Sequence, residues 1–214
     1  MKMIAISGTP RKGWNTSMLL HKLLEGARSK GAETEIINLY DLDYKGCKSC
    51  FVCKTIDGKS YGKCIMKDGL TRVLEKIQNA DALVLGSPIY FGRVSGQMAV
   101  FLERLLFPYI TYETPSKSLF PKMINTGFIY TMNVADEQMR EAGIDTHIHF
   151  NEKMLSIAFG KCESFMSFYT LQADDYNKLL VAADGETRIK RRKEEFPKDL
   201  DKVFEIGAKL ATES

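Results

Sequence analysis

The chain has 214 residues, a formal net charge of +3 at neutral pH, and 44% hydrophobic against 27% charged residues. That length suits one sizeable core in a single domain spanning residues 1–214, and the near-balanced charge gives no electrostatic case for nucleic acid or an anionic membrane. No stretch approaches the roughly 18 unbroken apolar residues of a membrane span, and the apolar run in the opening MKMIAISGTP is too short for the core of a secretion signal, so a cytoplasmic protein is expected.

In chain order, short apolar, β-branched runs alternate with longer helical periods. Met3 to Ser7 (MIAIS) reads as a buried strand, followed by a loop and a helix that Asn15 or Thr16 would cap. Met18, Leu19, Leu20, Leu23 and Leu24 give that helix one broad apolar face, and it should end near Gly31. Thr34 to Leu39 is the second strand, and a cysteine-rich loop over residues 46–64 follows it. Leu70, Val73, Leu74 and Ile77 stand at i, i+3, i+4, i+7 spacing in a helix over 68–79. Ala82 to Ser87 is the third strand and SGQMAVFLERLLF the helix after its loop. MINTGFIYTM is the fourth strand, a helix covers about 151–159, and ESFMSFYTL is the fifth. The tail over about 187–210 reads as one amphipathic helix. Strands alternating with helices from residue 2 onward predict an α/β fold, a doubly wound parallel sheet of five strands with helices on both faces. Such sheets bind ligands beyond the carboxyl ends of their strands.

Two of those strand-end loops carry chemistry. SGTPRKGWNTS (Ser7 to Ser17) has the glycine spacing that opens a Walker A loop, but Trp14-Asn15 stands where Lys and Ser/Thr belong, and it lacks G-x-G-x-x-G. Its hydroxyls, the Arg11 guanidinium and the free amides of a helix amino terminus suit a phosphate monoester. The competing reading is a turn with no ligand. GSPIYFGRVSG (Gly86 to Gly96) places Tyr90 and Phe91 at the end of a buried strand, with Gly92 and Gly96 allowing backbone amides to approach a flat ligand. Aromatic faces and amides fit an isoalloxazine ring; without a ligand, the same aromatics would simply cover the next helix.

Together the two loops resemble the flavodoxin-like NAD(P)H-dependent FMN reductases, over at least residues 3–104. The resemblance implies that Ser7, Thr9, Arg11, Asn15, Thr16 and Ser17 bind the phosphate and ribityl of FMN. It implies that Ser87, Pro88, Ile89, Tyr90, Phe91 and Gly92 contact the isoalloxazine, with a further contact from Thr131 in the TMN loop. NAD(P)H is then the electron donor, a flavin, quinone or other small molecule the acceptor, and a homodimer or higher homo-oligomer the assembly. With FMN bound the hard chemistry belongs to the flavin, so no acid or base is assigned as catalytic.

Four of the five cysteines, Cys47, Cys50, Cys53 and Cys64, fall within eighteen positions. In a reducing compartment such a cluster points to metal or redox chemistry rather than a disulfide framework. CKSCFVC also resembles the iron–sulfur flavoproteins, which implies a [4Fe–4S] cluster on these four thiols and an alternative role as electron carrier between redox proteins such as ferredoxin. The fourth cysteine departs from the compact pattern, coming after ten residues (KTIDGKSYGK). Zinc, free thiols and a disulfide stay open. Elsewhere, HIH (His147 to His149) is expected on an extended segment with a surface or capping role, RIKRRKEEFPKDLDK as a solvated helix face, and residues 107–122 as a functional or merely rigid connection.

Overall fold

The computed structural model of the chain describes residues 1–178 and 185–212. Five strands, β1 (Lys2–Ser7), β2 (Glu33–Asn38), β3 (Ala82–Tyr90), β5 (Asn125–Thr131) and β6 (Cys162–Ser167), form a parallel sheet in the order β2-β1-β3-β5-β6. A two-residue strand, β4 (Arg93–Val94), folds back antiparallel on the end of β3 through the pairs Ile89–Val94 and Tyr90–Arg93. The helices are α1 (Asn15–Ser29), α2 (Thr71–Gln78), α3 (Gly96–Leu106), α4 (Asp136–Glu141), α5 (Ile144–Phe159), α6 (Gly185–Glu194) and α7 (Phe196–Leu210). After β1 the chain moves outward to β2 and then returns to β3 on the other side, so the switch point lies between β1 and β3.

The central strands are apolar throughout because both faces are covered. Ile4, Ile6, Leu83 and Leu85 pack with Val73, Ile77, Phe101 and Leu105 on one side, while Met3, Ala5 and Val84 pack with Leu19, Leu23 and Val203 on the other. The period of two in a strand thus assigns alternate residues to two separate cores. The second core depends on a close crossing of α1 and α7. A Cβ on Gly26 would lie 2.0 Å from the Phe204 carbonyl oxygen, and one on Gly207 would lie 1.9 Å from that of Leu23. Only glycine permits that approach, which fixes the axis of α1 and hence the direction of its amino terminus.

Several sequence expectations change. The tail is two helices, α6 and α7, because Pro197 in the first turn of α7 cannot continue a helix from upstream. The helix expected over 151–159 begins at Ile144, so His147 and His149 are helical rather than extended. His147 lines a cavity, while the His149 ring nitrogen Nδ1 lies 2.8 Å from the Asp145 carbonyl oxygen. The cap position of α1 is Trp14, and no side chain caps it. Among the described residues no helix is long and apolar enough to cross a membrane.

Candidate functional site

The loops after β1, β3 and β5 meet, as the switch-point rule requires. The Gly8 amide donates to the Gly86 carbonyl at 2.8 Å, and the Ser95 hydroxyl, which caps α3, donates to the Gly8 carbonyl at 2.6 Å. Thr16 and Thr131 share a hydroxyl–hydroxyl bond of 2.7 Å that ties the start of α1 to the end of β5. Between these loops lies a cleft of about 160 Å³, and Thr9, Arg11, Asn15, Thr16, Pro88, Ile89, Tyr90 and Thr131 all line it.

Other predicted residues sit nearby without lining it. Ser7 and Ser17 are buried at the root of the first loop. Ser87 is buried and structural: its hydroxyl donates to the Pro88 carbonyl at 2.8 Å and accepts from the Ser95 amide at 2.9 Å. Phe91 and Gly92 form the two-residue turn between β3 and β4, with φ of 50° and 77°. Two consecutive positive φ values mark the tight hairpin turn that matches strand twist, and they throw the Phe91 ring fully into solvent, away from the cleft.

The sequence reading missed the fourth wall, the loop after β6. Thr170, Leu171 and Gln172 line the cleft, and the loop after β1 is fastened to them. Arg11 donates to the Gln172 carbonyl at 2.6 Å, and Asn15 donates to the Leu171 carbonyl at 2.7 Å. From α6, Arg192 donates to the Asn15 side-chain oxygen at 2.9 Å. Trp14, whose purpose was not legible, carries the Arg11 guanidinium over its ring at 3.4 Å, which holds that cation at the cleft mouth. The signal that could have revealed this wall is positional only: it too follows a strand at the sheet's carboxyl edge.

The cleft's electrostatics suit an anion with a polar tail. The amino terminus of α1 has neither a side-chain cap nor an acidic residue in its first turn, leaving its amides and dipole for a phosphate. Asn133 and Gln172 line the cleft, and their buried side-chain oxygens have no hydrogen-bond partner. A flavin mononucleotide supplies the missing donors through its ribityl hydroxyls and ring N–H, so the residues present fit that group. Burial, reinforced by Tyr40 and opposed by Arg11, raises the Tyr90 phenol pKa, so Tyr90 stays protonated at neutral pH.

The cysteine loop lies between β2 and α2. Its path needs three non-glycine residues at positive φ, Ser49, Phe51 and Asp57, the sort of backbone cost that persists where surrounding structure enforces it. The ten-residue insert before Cys64 folds back on itself: the Gly62 amide, at φ 71°, donates to the Cys53 carbonyl at 2.9 Å. As a result Cys47, Cys50, Cys53 and Cys64 line one small cavity of about 20 Å³. All five cysteines are free thiols. Burial raises the Cys53 pKa, with Lys54 opposing and Cys64, Cys47 and Cys50 reinforcing. Among the described residues no three His, Cys, Asp or Glu side chains converge tightly enough for a single metal ion. A four-iron cluster spreads its ligands more widely, and four thiols around one cavity are the donor set it takes.

A wider, mostly apolar cavity of about 740 Å³ opens between α3, α5 and residues 106–116. Arg93 of the hairpin borders it on one side and Cys47 on another, so it touches both regions.

The profile of the family described as NADPH-dependent FMN reductase matches residues 1–161. The chain belongs to that family. Within this FMN reductase family setting, 104 residues are 40% identical to an iron–sulfur flavoprotein of Methanocaldococcus jannaschii, covering 49% of this chain and 51% of the relative. Over 104 residues the identity to an iron–sulfur flavoprotein of Archaeoglobus fulgidus is 43%, covering 49% and 48%. The chain spans about half the length of the curated relatives it matches. Among solved structures, an NAD(P)H:quinone oxidoreductase from Methanothermobacter marburgensis superposes with a TM-score of 0.71 at 14% identity, covering 98% of each chain. An FMN-dependent NADH-azoreductase from Bacillus anthracis, in complex with FMN, gives 0.67 at 13% identity, covering 99% of this chain and 100% of that one. At these identities the likeness establishes the flavodoxin-like fold alone.

Proposed function

We propose that the chain is an FMN-dependent NAD(P)H oxidoreductase whose flavin lies in the cleft at the carboxyl ends of β1, β3 and β5. The observation that carries this reading is the convergence on one cleft of an uncapped helix amino terminus, Arg11, and the orphaned acceptors of Asn133 and Gln172. Thr9, Arg11, Asn15 and Thr16 hold the phosphate and upper ribityl, and Pro88 to Tyr90 with Thr131 flank the ring. Ser7, Ser17 and Ser87 support these loops from beneath. When bound, FMN accepts a hydride and passes electrons on singly or in pairs. The chain's own work is to bind and orient it and to shield one ring face with the β3–β4 hairpin. No side chain needs to move a proton. The cavity beside Arg93 and Cys47 gives a small planar acceptor, such as a flavin or quinone, a place to approach. A cytoplasmic location and a homodimer are the setting we expect.

A second reading is favoured by the ring of four cysteines around one cavity, together with the names of the related iron–sulfur flavoproteins. Here Cys47, Cys50, Cys53 and Cys64 hold a [4Fe–4S] cluster that exchanges single electrons with a redox protein such as ferredoxin. Anaerobic mixing with NADH or NADPH distinguishes the two. Flavin bleaching within one turnover time supports the reductase; flavin that stays oxidised with both nucleotides, yet is reduced by ferredoxin, supports the carrier.

A further inference from the structure

The last turn of α3 carries Arg104, the largest fully buried side chain, 1% exposed. Its donors all face the two ends of the cysteine segment. Nη1 donates to the Lys45 carbonyl at 2.8 Å and to Asp68 Oδ2 at 2.7 Å. Nη2 donates to the Met66 carbonyl and Asp68 Oδ1 at 3.4 and 3.3 Å. The remaining donor, Nε, points at the Cys64 sulfur, 3.1 Å away. A neutral thiol is a weak acceptor, whereas a thiolate or cluster-ligating sulfur makes a strong, charge-assisted bond with a guanidinium. The four oxygen contacts tie the segment's ends, which leaves the fifth donor to the Cys64 sulfur.

The same helix begins at Ser95, whose amide and hydroxyl fasten Ser87 and Gly8 in the flavin cleft. One rigid element of eleven residues therefore has its first turn in the flavin site and its last on Cys64.

We infer that Arg104 is a positioning residue that closes the cysteine segment and, through its Nε–H bond to Cys64, raises the reduction potential of a cluster held there. This rests on the iron–sulfur reading given above. Hydrogen bonds and positive charge at a ligating sulfur stabilise the added electron. Asp68, held against the same guanidinium, opposes that effect with its negative charge.

The test compares cluster midpoint potentials of the anaerobic holoprotein with those of two variants. Arg104→Lys keeps the charge but loses the planar Nε–H, and should lower the potential by about tenfold in the one-electron equilibrium, ~59 mV. Asp68→Asn keeps the Nε–H and removes a negative charge, and should move it the other way. A residue that merely held the fold together would shift both variants in one direction. Potentials that move together, or not at all, overturn the inference. Should Arg104→Lys lose its iron, Asp68→Asn decides alone, and a lowered or unchanged potential overturns it. Wild-type protein that binds no iron overturns the iron–sulfur reading and this inference with it, a failure visible before any variant is made.

Discussion

The strand-end cleft and the cysteine loop are joined by α3, yet they are held by different means. The cleft is assembled from strand ends: four loops emerge from one sheet edge, and short hydroxyl and carbonyl bonds such as Thr16–Thr131 and Ser95–Gly8 lock them in register. The cysteine loop has no sheet beneath it. It is closed by the buried Arg104 guanidinium, by Glu103 accepting the Cys47 amide at 3.0 Å, by Lys54 donating to the Pro108 and Ile110 carbonyls, and by the Gly62–Cys53 backbone bond. A site built on strand ends inherits the rigidity of the sheet, whereas a loop tied to one helix and the segment after it by a few side chains, Arg104, Glu103 and Lys54, depends on those side chains. Changes in one should therefore leave the other largely intact.

The sharpest break of this comparison is Cys53→Ser, which removes the buried thiol of the set. It should abolish iron binding while FMN content stays within about twofold; loss of both would show the regions to be one cooperative unit. In the other direction, Arg11→Ala should weaken FMN binding by about ten- to a hundredfold, ~1.5–3 kcal/mol for a charged hydrogen bond, with iron unchanged. Isothermal titration with FMN and an iron assay read the two terms separately.

A third change concerns pH. Burial pushes the Asp68 carboxyl up, but the Arg104 hydrogen bond, then the Leu70 amide, the Arg104 charge and the Lys45 amide outweigh it, and the net pKa lies below the ordinary aspartate value. A depressed pKa means that the contribution is fully present above the unfolded value of 3.8 and is lost as pH falls through the lower folded one. Melting temperature should drop more steeply with acid below that point in the wild type than in Asp68→Asn. The variant itself should be less stable by about 1–3 kcal/mol at neutral pH. Equal acid slopes would show that the carboxylate does not hold the loop. The smallest effect is expected at Gln172→Ala, which removes one orphaned acceptor and should cost FMN affinity about threefold, ~0.5–1 kcal/mol.

What could be read from the sequence follows the same division. The strands were legible because buried parallel strands are apolar on both faces, as MIAIS and ALVLGS show. The first and third loops were legible because glycine, proline and hydroxyl residues at a strand end carry their conformational and hydrogen-bonding demands in their identity. Phe91 reads as a ligand contact from its place at a strand end, and its backbone sits in a tight turn that leaves the ring exposed. Gln172 was invisible because its loop has no composition of its own, and Thr170 and Leu171 before it read as the end of the fifth strand. Arg104 was hidden in an amphipathic helix as one charge among apolar neighbours, since its partners lie about 40 and 60 residues away in the chain. The tail was misread as one helix although Pro197 was in plain view.

With FMN in the strand-end cleft and, on the second reading, a cluster in the cysteine loop, one chain would hold two separate redox sites. The most direct measurement is the absorption spectrum of protein purified without oxygen, with FMN, iron and acid-labile sulfide quantified per chain. The account predicts flavin bands at about one FMN per chain on a broad visible shoulder, with about four irons and four sulfides. Protein that takes up no FMN even when soaked with it would contradict the flavin site, and protein with FMN but no iron would contradict the cluster.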